Sequence, residues 1–317
     1  MNLANLDLNL LVSLDALLQQ RGVTRAAQQL GLSQPALSAS LARLRRHFGD
    51  DLLARSGNEY RLTPLAVQLK PQVRLALRGV ERVFTAQPEF APAESTREFC
   101  LVMSDYAARV IGGTVARLLA EEAPSARLRY PANTPDIVDR ADQTLLALDA
   151  IVMPHGFLTD LPHVDLYRDT WVCVVSADNT AVGDALTVEQ LTTMPWVASY
   201  QGPTSATPAS RQMRQLGIEP RIQVTTENFL TVPALVAGTS RIALMQRRLV
   251  DLMPADSGLR ALACPFDAGP LVEALWWAPA FERDPEHLFF RDLVVRAAAE
   301  VTAQDPADAA TPAAPVI

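Results

Sequence analysis

The sequence predicts an α+β multidomain chain: a winged helix-turn-helix first, then one long linker helix, then a larger body of two α/β lobes. Three observations predict it. Val23 to Phe48 reads as two short helices joined by a tight turn. Apolar residues from Ala66 to Val83 alternate three and four positions apart, a heptad seam. From Glu98 onward, short apolar runs alternate with helical periodicities, the pattern of α/β units with mostly parallel sheets.

The elements follow in order. Asp7 to Gln20 is a first helix with Leu8, Leu11, Leu14 and Leu18 on its apolar side. Thr24 is placed as the N-cap of the second helix, which Gly31 ends by taking the left-handed conformation of a tight exit. Ser33 caps the third helix, with Pro35 in its first turn, where a missing N–H costs little. Leu37, Leu41, Leu44 and Phe48 share one face of it; Gln34, Ser38 and Arg45, with Pro35 and Arg46, form a polar and cationic neighbouring face. A wing follows: Leu52 to Arg55, a turn at Ser56-Gly57-Asn58, then Tyr60 to Leu62. These elements make up residues 1–63.

Thr63 caps a linker helix over residues 64–86, whose seam is Ala66, Leu69, Val73, Ala76, Val80 and Val83. Two such helices pair across a seam of this kind, and packing on the helix's own domain is the alternative. Pro71 falls inside it, and an interior proline costs about 3 kcal/mol relative to Ala. A kink or restart near Lys70 is therefore expected. Residues 87–97 read as a hinge with two prolines. The body spans 98–302, lobe I taking about 98–165 and 270–302 and lobe II about 166–269. The Ala/Pro/Asp-rich tail, 303–317, is expected to be disordered.

Composition narrows the function. The chain has 317 residues, 49% of them hydrophobic, enough for a sizeable core in each of about two domains. It contains no apolar run of the ~20 residues a membrane span requires, and its first seven residues lack the basic start of a secretory signal. The expected location is cytoplasmic, with no membrane partner. Residues 1–86 carry 11 Lys+Arg against 6 Asp+Glu, whereas the remainder carries 17 against 29. A basic front end on an acidic body suits a nucleic-acid reader with a separate sensing body. Cys100, Cys173 and Cys264 lie far apart in sequence and are expected as buried free thiols. The four histidines show no metal-ligand spacing, so neither a metal nor a cofactor is expected. There is no nucleophile elbow and no Gly-rich phosphate loop, which argues against an enzyme.

T-R-A-A at Thr24–Ala27, L-G-L-S-Q-P-A-L-S at Leu30–Ser38, F-G-D-D-L-L-A-R at Phe48–Arg55 and L-T-P at Leu62–Pro64 resemble the LysR-type transcriptional regulators. V-A-G-T-S-R-I-A-L-M at Val236–Met245 extends the likeness into the body. The resemblance covers Asp7 to Val301 and is nearest the branch of nodulation regulators and aromatic-compound sensors. It implies a winged helix-turn-helix dimerised through the linker helix, with many members tetrameric. It also implies a two-lobed body similar to periplasmic binding proteins, with a small-molecule effector between the lobes. Two positions depart from the pattern: Arg45 stands where many relatives have Glu, and Met245 or Gln246 where many have Pro.

On this reading the partner is double-stranded DNA. Gln34 suits bidentate pairing with adenine, Ser38 a base or phosphate, and Pro35 a thymine methyl. Thr24, Arg25 and Arg46 sit near the backbone, Arg45 gains a possible phosphate contact, and Arg55 on the wing suits a narrow minor groove. Ser33 is more a cap than a reader. Effector-site candidates come from loops at strand ends, where open α/β sheets bind ligands: Ser104 with Tyr106, Asn133, His155 with Phe157 near an expected crossover between lobes, Thr204, Phe229 and Gln246. The effector class expected is a small organic acid or an aromatic. A redox-sensing or ligand-independent regulator of the same fold stays open, as do a solute-binding protein and an enzyme.

Overall fold

The structure, a computed structural model, describes residues 7–56, 59–85, 90–200 and 206–303. It divides into two compact units, 1–88 and 89–317. The expected turn residues Gly57 and Asn58, part of the hinge, Thr204 and the tail from 304 lie outside the described residues.

The first unit is built from α1 (Leu8–Gln20), α2 (Val23–Leu30), α3 (Gln34–Phe48), β1 (Leu53–Ser56), β2 (Glu59–Leu62) and α4 (Pro64–Thr85). Asp7 caps α1 by accepting from the Asn9 N–H. Leu14, Leu17 and Leu18 are buried, but Leu8 is 56% exposed. The apolar stripe therefore starts one turn later than the leucine spacing suggested. Thr24 is not a cap: α2 begins at Val23, with Gly22 at its N-cap and no side-chain hydrogen bond there. Gly31 does end the helix at φ +65°. Ser33 Oγ accepts from the Ala36 N–H, capping α3. Leu37, Leu41 and Leu44 point into one core with α1, Leu52, Leu53, Ala66 and Val73.

Thr63 Oγ1 accepts from the Ala66 N–H and caps α4. The helix then runs on through position 71 without the expected restart. Proline there frees the carbonyl of Val67, a residue 57% exposed, so that water can satisfy the acceptor. The heptad stripe divides. Ala66 and Val73 are buried, with Leu69 and Leu77 packed alongside, in the unit's own core. Further along, Ala76 and Phe84 are exposed and Val80 half-buried. The Val83 side chain lies outside the described residues.

The second unit contains two five-stranded sheets of one plan. Lobe I is built on β3 (Glu98–Met103), β4 (Arg127–Arg129), β5 (Ala150–Pro154), β6 (His163–Asp169) and β12 (Leu271–Trp276). Lobe II is built on β7 (Trp171–Ser176), β8 (Pro195–Ser199), β9 (Arg221–Thr226), β10 (Ile242–Gln246) and β11 (Leu259–Ala263). The orders are β4-β3-β5-β12-β6 and β11-β7-β10-β8-β9. In each sheet three strands pair in parallel and the last two join antiparallel. The sheets are thus mixed, not mostly parallel, because returning strands complete each one. β6 and β11 went unread, since β6 alternates exposed with more buried residues and β11 is short and interrupted by Arg260, so neither offers a continuous apolar run. As β6 belongs to lobe I, the chain crosses between lobes at Thr170 and again between Ala263 and Leu271. It does not cross near His155.

Candidate nucleic-acid interface and effector cleft

Gln34, Pro35 and Ser38 are all exposed on the first turns of α3, opposite its buried leucines. Thr24, Arg25 and Arg46 are also exposed, and so is Arg55 on β1. Arg25 bonds back to the Gln20 carbonyl at 2.8 Å, which holds its guanidinium at the start of α2. Arg45 is different. Its Nε donates to the Asp51 carbonyl at 2.9 Å and its Nη2 to the Leu53 carbonyl at 3.1 Å. The guanidinium is committed to the turn between α3 and the wing, in place of the phosphate contact expected of it.

That turn explains the F-G-D-D-L-L stretch. Gly49 takes φ +62°, and buried Leu52 takes φ +58°, a conformation costly for a residue with a Cβ. Asp50 Oδ1 fixes it by accepting from the Leu52 N–H and the Thr63 hydroxyl, both at 2.6 Å. The same carboxylate thereby ties the wing's entry to the cap of α4.

The second unit holds a cleft lined from both lobes. Ser104, Asn133, Pro154 and Phe157 line it from lobe I, and Trp171, Tyr200, Thr207, Phe229 and Gln246 from lobe II. Leu271 and Glu273 of β12 complete its floor. Five of the residues expected from sequence are therefore together: Ser104, Asn133, Phe157, Phe229 and Gln246. Tyr106 is not; it is buried, and its hydroxyl donates to Asp169 Oδ2 at 2.6 Å. His155 is not either; its Nε2 faces the Asp165 carboxylate at 2.6 Å on the exposed side of lobe I. Asp105 turns away from the cleft and accepts from the Leu230 N–H.

The polar chemistry of the cleft is sparse and uncommitted. Asn133 Oδ1, Trp171 Nε1, Gln246 Oε1 and Glu273 Oε2 are buried atoms without hydrogen-bond partners. Burial, then the charge of Asp169, pushes the Glu273 carboxyl up to about 8. At neutral pH it is mostly protonated and therefore a donor. Among the described lining residues there is no Lys, Arg or His, and Arg211 stands 4.6 Å over the lining Phe157 ring. Trp171, Tyr200 and Glu273 were missed from sequence because they sit inside or at the ends of strands, where their apolar neighbours read as core.

Outside the cleft, the three cysteines are free thiols, and the structure brings together two sets of residues that are distant in sequence. Cys173 and Cys264, 91 positions apart, have Sγ atoms 3.8 Å apart, and Cys264 is only half-buried. His155, His163 and Asp165 also converge, with one ligand atom from each lying within 4.8 Å of the others. Sequence spacing concealed this cluster because His155 follows β5 while the other two lie on β6.

A basic winged helix-turn-helix followed by a two-lobed α/β body with a cleft between its lobes defines a DNA-binding regulator that senses small molecules. Residues 8–66 match the bacterial regulatory helix-turn-helix protein, lysR family, and residues 92–299 match the LysR substrate binding domain. The chain belongs to the LysR family, and is a transcriptional regulator, not an enzyme. Members of the family bind DNA and small-molecule effectors and form oligomers. Nodulation protein D 2 of Rhizobium tropici is 36% identical over 302 residues, covering 94% of this chain and 95% of that protein. Nodulation protein D 3 of Mesorhizobium japonicum is 35% identical over 306 residues, covering 95% and 100%. Among solved structures, a probable transcriptional regulator from Pseudomonas aeruginosa aligns with TM-score 0.70 at 25% identity, covering 92% of this chain and 97% of that one. Full-length CbnR complexed with its target DNA shares the fold, with TM-score 0.65 at 16% identity, covering 92% and 100%. Among the described residues no helix is long and apolar enough to cross a membrane.

Proposed function

We propose that Gln34, Pro35 and Ser38 read base edges in the major groove, while Thr24, Arg25 and Arg46 hold phosphates and Arg55 enters the adjoining minor groove. Ser33 keeps its role as a cap, and Arg45 positions the wing. The supporting observation is that the readers lie together, exposed, on the N-terminal turns of a helix whose opposite face is fixed in the core. The uncovered second half of the α4 stripe, Ala76, Val80 and Phe84, continues the face buried at Ala66 and Val73. It is the surface through which two chains pair. The protein acts in the cytoplasm, where its DNA target is.

The cleft favours a neutral aromatic effector over an organic acid. Four aromatic residues line it, Phe157, Trp171, Tyr200 and Phe229, and no cation is among the described lining residues. An acid anion entering would find no Lys, Arg or His among the described lining residues. A neutral ring bearing hydroxyl or carbonyl groups meets the donors of Trp171 and protonated Glu273 and the acceptors of Asn133 and Gln246. Thermal-shift screening with matched panels of neutral aromatics, aromatic acids and aliphatic acids tests this. Stabilisation by neutral aromatics is expected; stabilisation by the acids alone would refute it.

A further inference from the structure

We propose that His155, His163 and Asp165 form a binding site for a divalent transition-metal ion, of the zinc or nickel class, on the outer side of lobe I. The sheet register creates it. His163 and Asp165 are two apart on β6 and project from one face of that strand. β12 pairs with β6 through His163↔Trp276 and Asp165↔Ala274, and with β5 on its other edge. His155 follows β5, anchored by its N–H to the Val272 carbonyl at 3.2 Å. Ala274 between them is small, so the side chains meet above it. His155 and His163 have ring centroids 5.1 Å apart, and His163 lies 4.3 Å from the Trp276 ring.

The donor set fits such an ion. Two imidazoles and one carboxylate are borderline ligands suited to zinc or nickel, whereas magnesium and calcium prefer all-oxygen sites. The Leu161 carbonyl faces His163 Nδ1 at 3.1 Å. That contact favours the proton on Nδ1 and leaves Nε2 as the ligand atom, the outer-shell arrangement that orients metal-binding histidines. His155 Nε2 and Asp165 Oδ1 already meet at 2.6 Å. Ligand atoms around a tetrahedral ion at ~2.0–2.2 Å lie about 3.3–3.6 Å apart. These exposed side chains reach that spacing from within 4.8 Å by small rotations. Three protein ligands leave the remaining positions to water. His155 stands between Pro154 and Phe157, both in the cleft wall, so an ion held there also fixes that stretch of wall. The metal reading does not depend on the effector reading.

The test is titration of the full-length protein, stripped with chelator, with Zn²⁺ and with Ni²⁺ by calorimetry. Fluorescence is followed alongside, since Ni²⁺ at this position quenches Trp276. One ion per chain is expected, with affinity falling at least about tenfold, the loss seen even for an outer-shell partner, in His155→Ala and in His163→Ala. The same loss is expected in Asp165→Asn, with His47→Ala unchanged. Circular dichroism melts confirm that these surface variants remain folded. Absence of binding in the wild-type chain overturns the proposal, as does equal affinity in the wild type and both histidine variants. The outcome of an effector screen leaves this result untouched.

Discussion

The Asp105 carboxylate of lobe I accepts a 2.7 Å hydrogen bond from the backbone N–H of Leu230 in lobe II. Arg211 of lobe II meanwhile stands 4.6 Å over the Phe157 ring of lobe I. Both contacts bridge the lobes beside the cleft, in addition to the buried apolar cluster that the two lobes share. Asp105→Ala removes the only acceptor the Leu230 N–H has among the described residues. A hydrogen bond of this kind contributes about 0.5–1.5 kcal/mol net. Amide exchange at Leu230 should quicken by roughly three- to tenfold, and Asp105→Asn, which keeps an acceptor oxygen, should restore most of the protection. Unchanged exchange in the alanine variant would show that the bridge is not formed in solution.

Stability should vary with pH in a way that isolates Glu273. Its carboxyl is raised to about 8, chiefly by burial. Between the unfolded value of 4.5 and 8 the native chain holds a proton that the unfolded chain has released. Stability is therefore lost as pH rises through that window. His287 runs the other way: burial lowers it to about 4, so stability is lost as pH falls from 6.5 toward 4. The two slopes oppose each other at mildly acidic pH, and above pH 6.5 the Glu273 slope remains. Denaturant unfolding of the wild type should weaken by about 1–2 kcal/mol between pH 6.5 and 8. Glu273→Gln should flatten most of that decline, and a parallel decline in the variant would move the cause elsewhere.

Three substitutions in the first unit separate reading, gripping and bracing. Gln34→Ala should cost about 1–3 kcal/mol at one base pair and little on other sequences. Arg46→Ala should weaken all duplexes alike and reduce the salt slope by about 1. Arg45→Ala should leave the salt slope unchanged but lower thermal stability, because the Asp51 and Leu53 carbonyls lose their donor. Binding isotherms at several salt concentrations check all three; a reduced slope for Arg45→Ala would return that residue to the phosphate contacts.

Much of this was legible in the sequence because local chemistry decides it. Ser33, Gly31 and Thr63 announce helix ends by backbone needs that only a few residues meet, and Leu37, Leu41 and Leu44 mark a face by period. What failed was long-range. No local rule shows that β6 completes lobe I, or that the Cys173 and Cys264 thiols meet. The same holds for the convergence of His155 with His163 and Asp165. Each depends on sheet register, which strands distant in sequence set together. Pro71 misled for another reason: its penalty lowers stability without ending a helix whose Leu69, Val73 and Leu77 are held in the core on either side of it. Thr24 misled because Gly22 also satisfies an N-cap, without a side chain to advertise it.

The thiols offer a check on the redox alternative. Cys264 is half-buried, and the hydrogen bond it accepts from Cys173 lowers its pKa, while Cys173 is raised by that same pairing and by burial. A stoichiometric thiol reagent on the native protein should modify Cys264 first, with Cys100 and Cys173 reacting only on unfolding. Mass mapping of the labelled peptides decides the order. A Cys173–Cys264 disulfide after mild peroxide, accompanied by altered DNA binding, would favour the redox reading over the ligand reading.

The central claim is that the basic front end selects promoter DNA and that a neutral aromatic in the cleft of the body changes how it is held. Fluorescence anisotropy on the promoter fragment upstream of the protein's own gene, beside a scrambled duplex, tests both halves at once when repeated with the best neutral aromatic from the thermal screen. The account predicts tighter binding to the promoter and a shift of about 5–150-fold on adding the ligand, or a changed footprint at equal affinity. Equal affinity for promoter and scrambled DNA, with no ligand altering affinity or footprint, would contradict it.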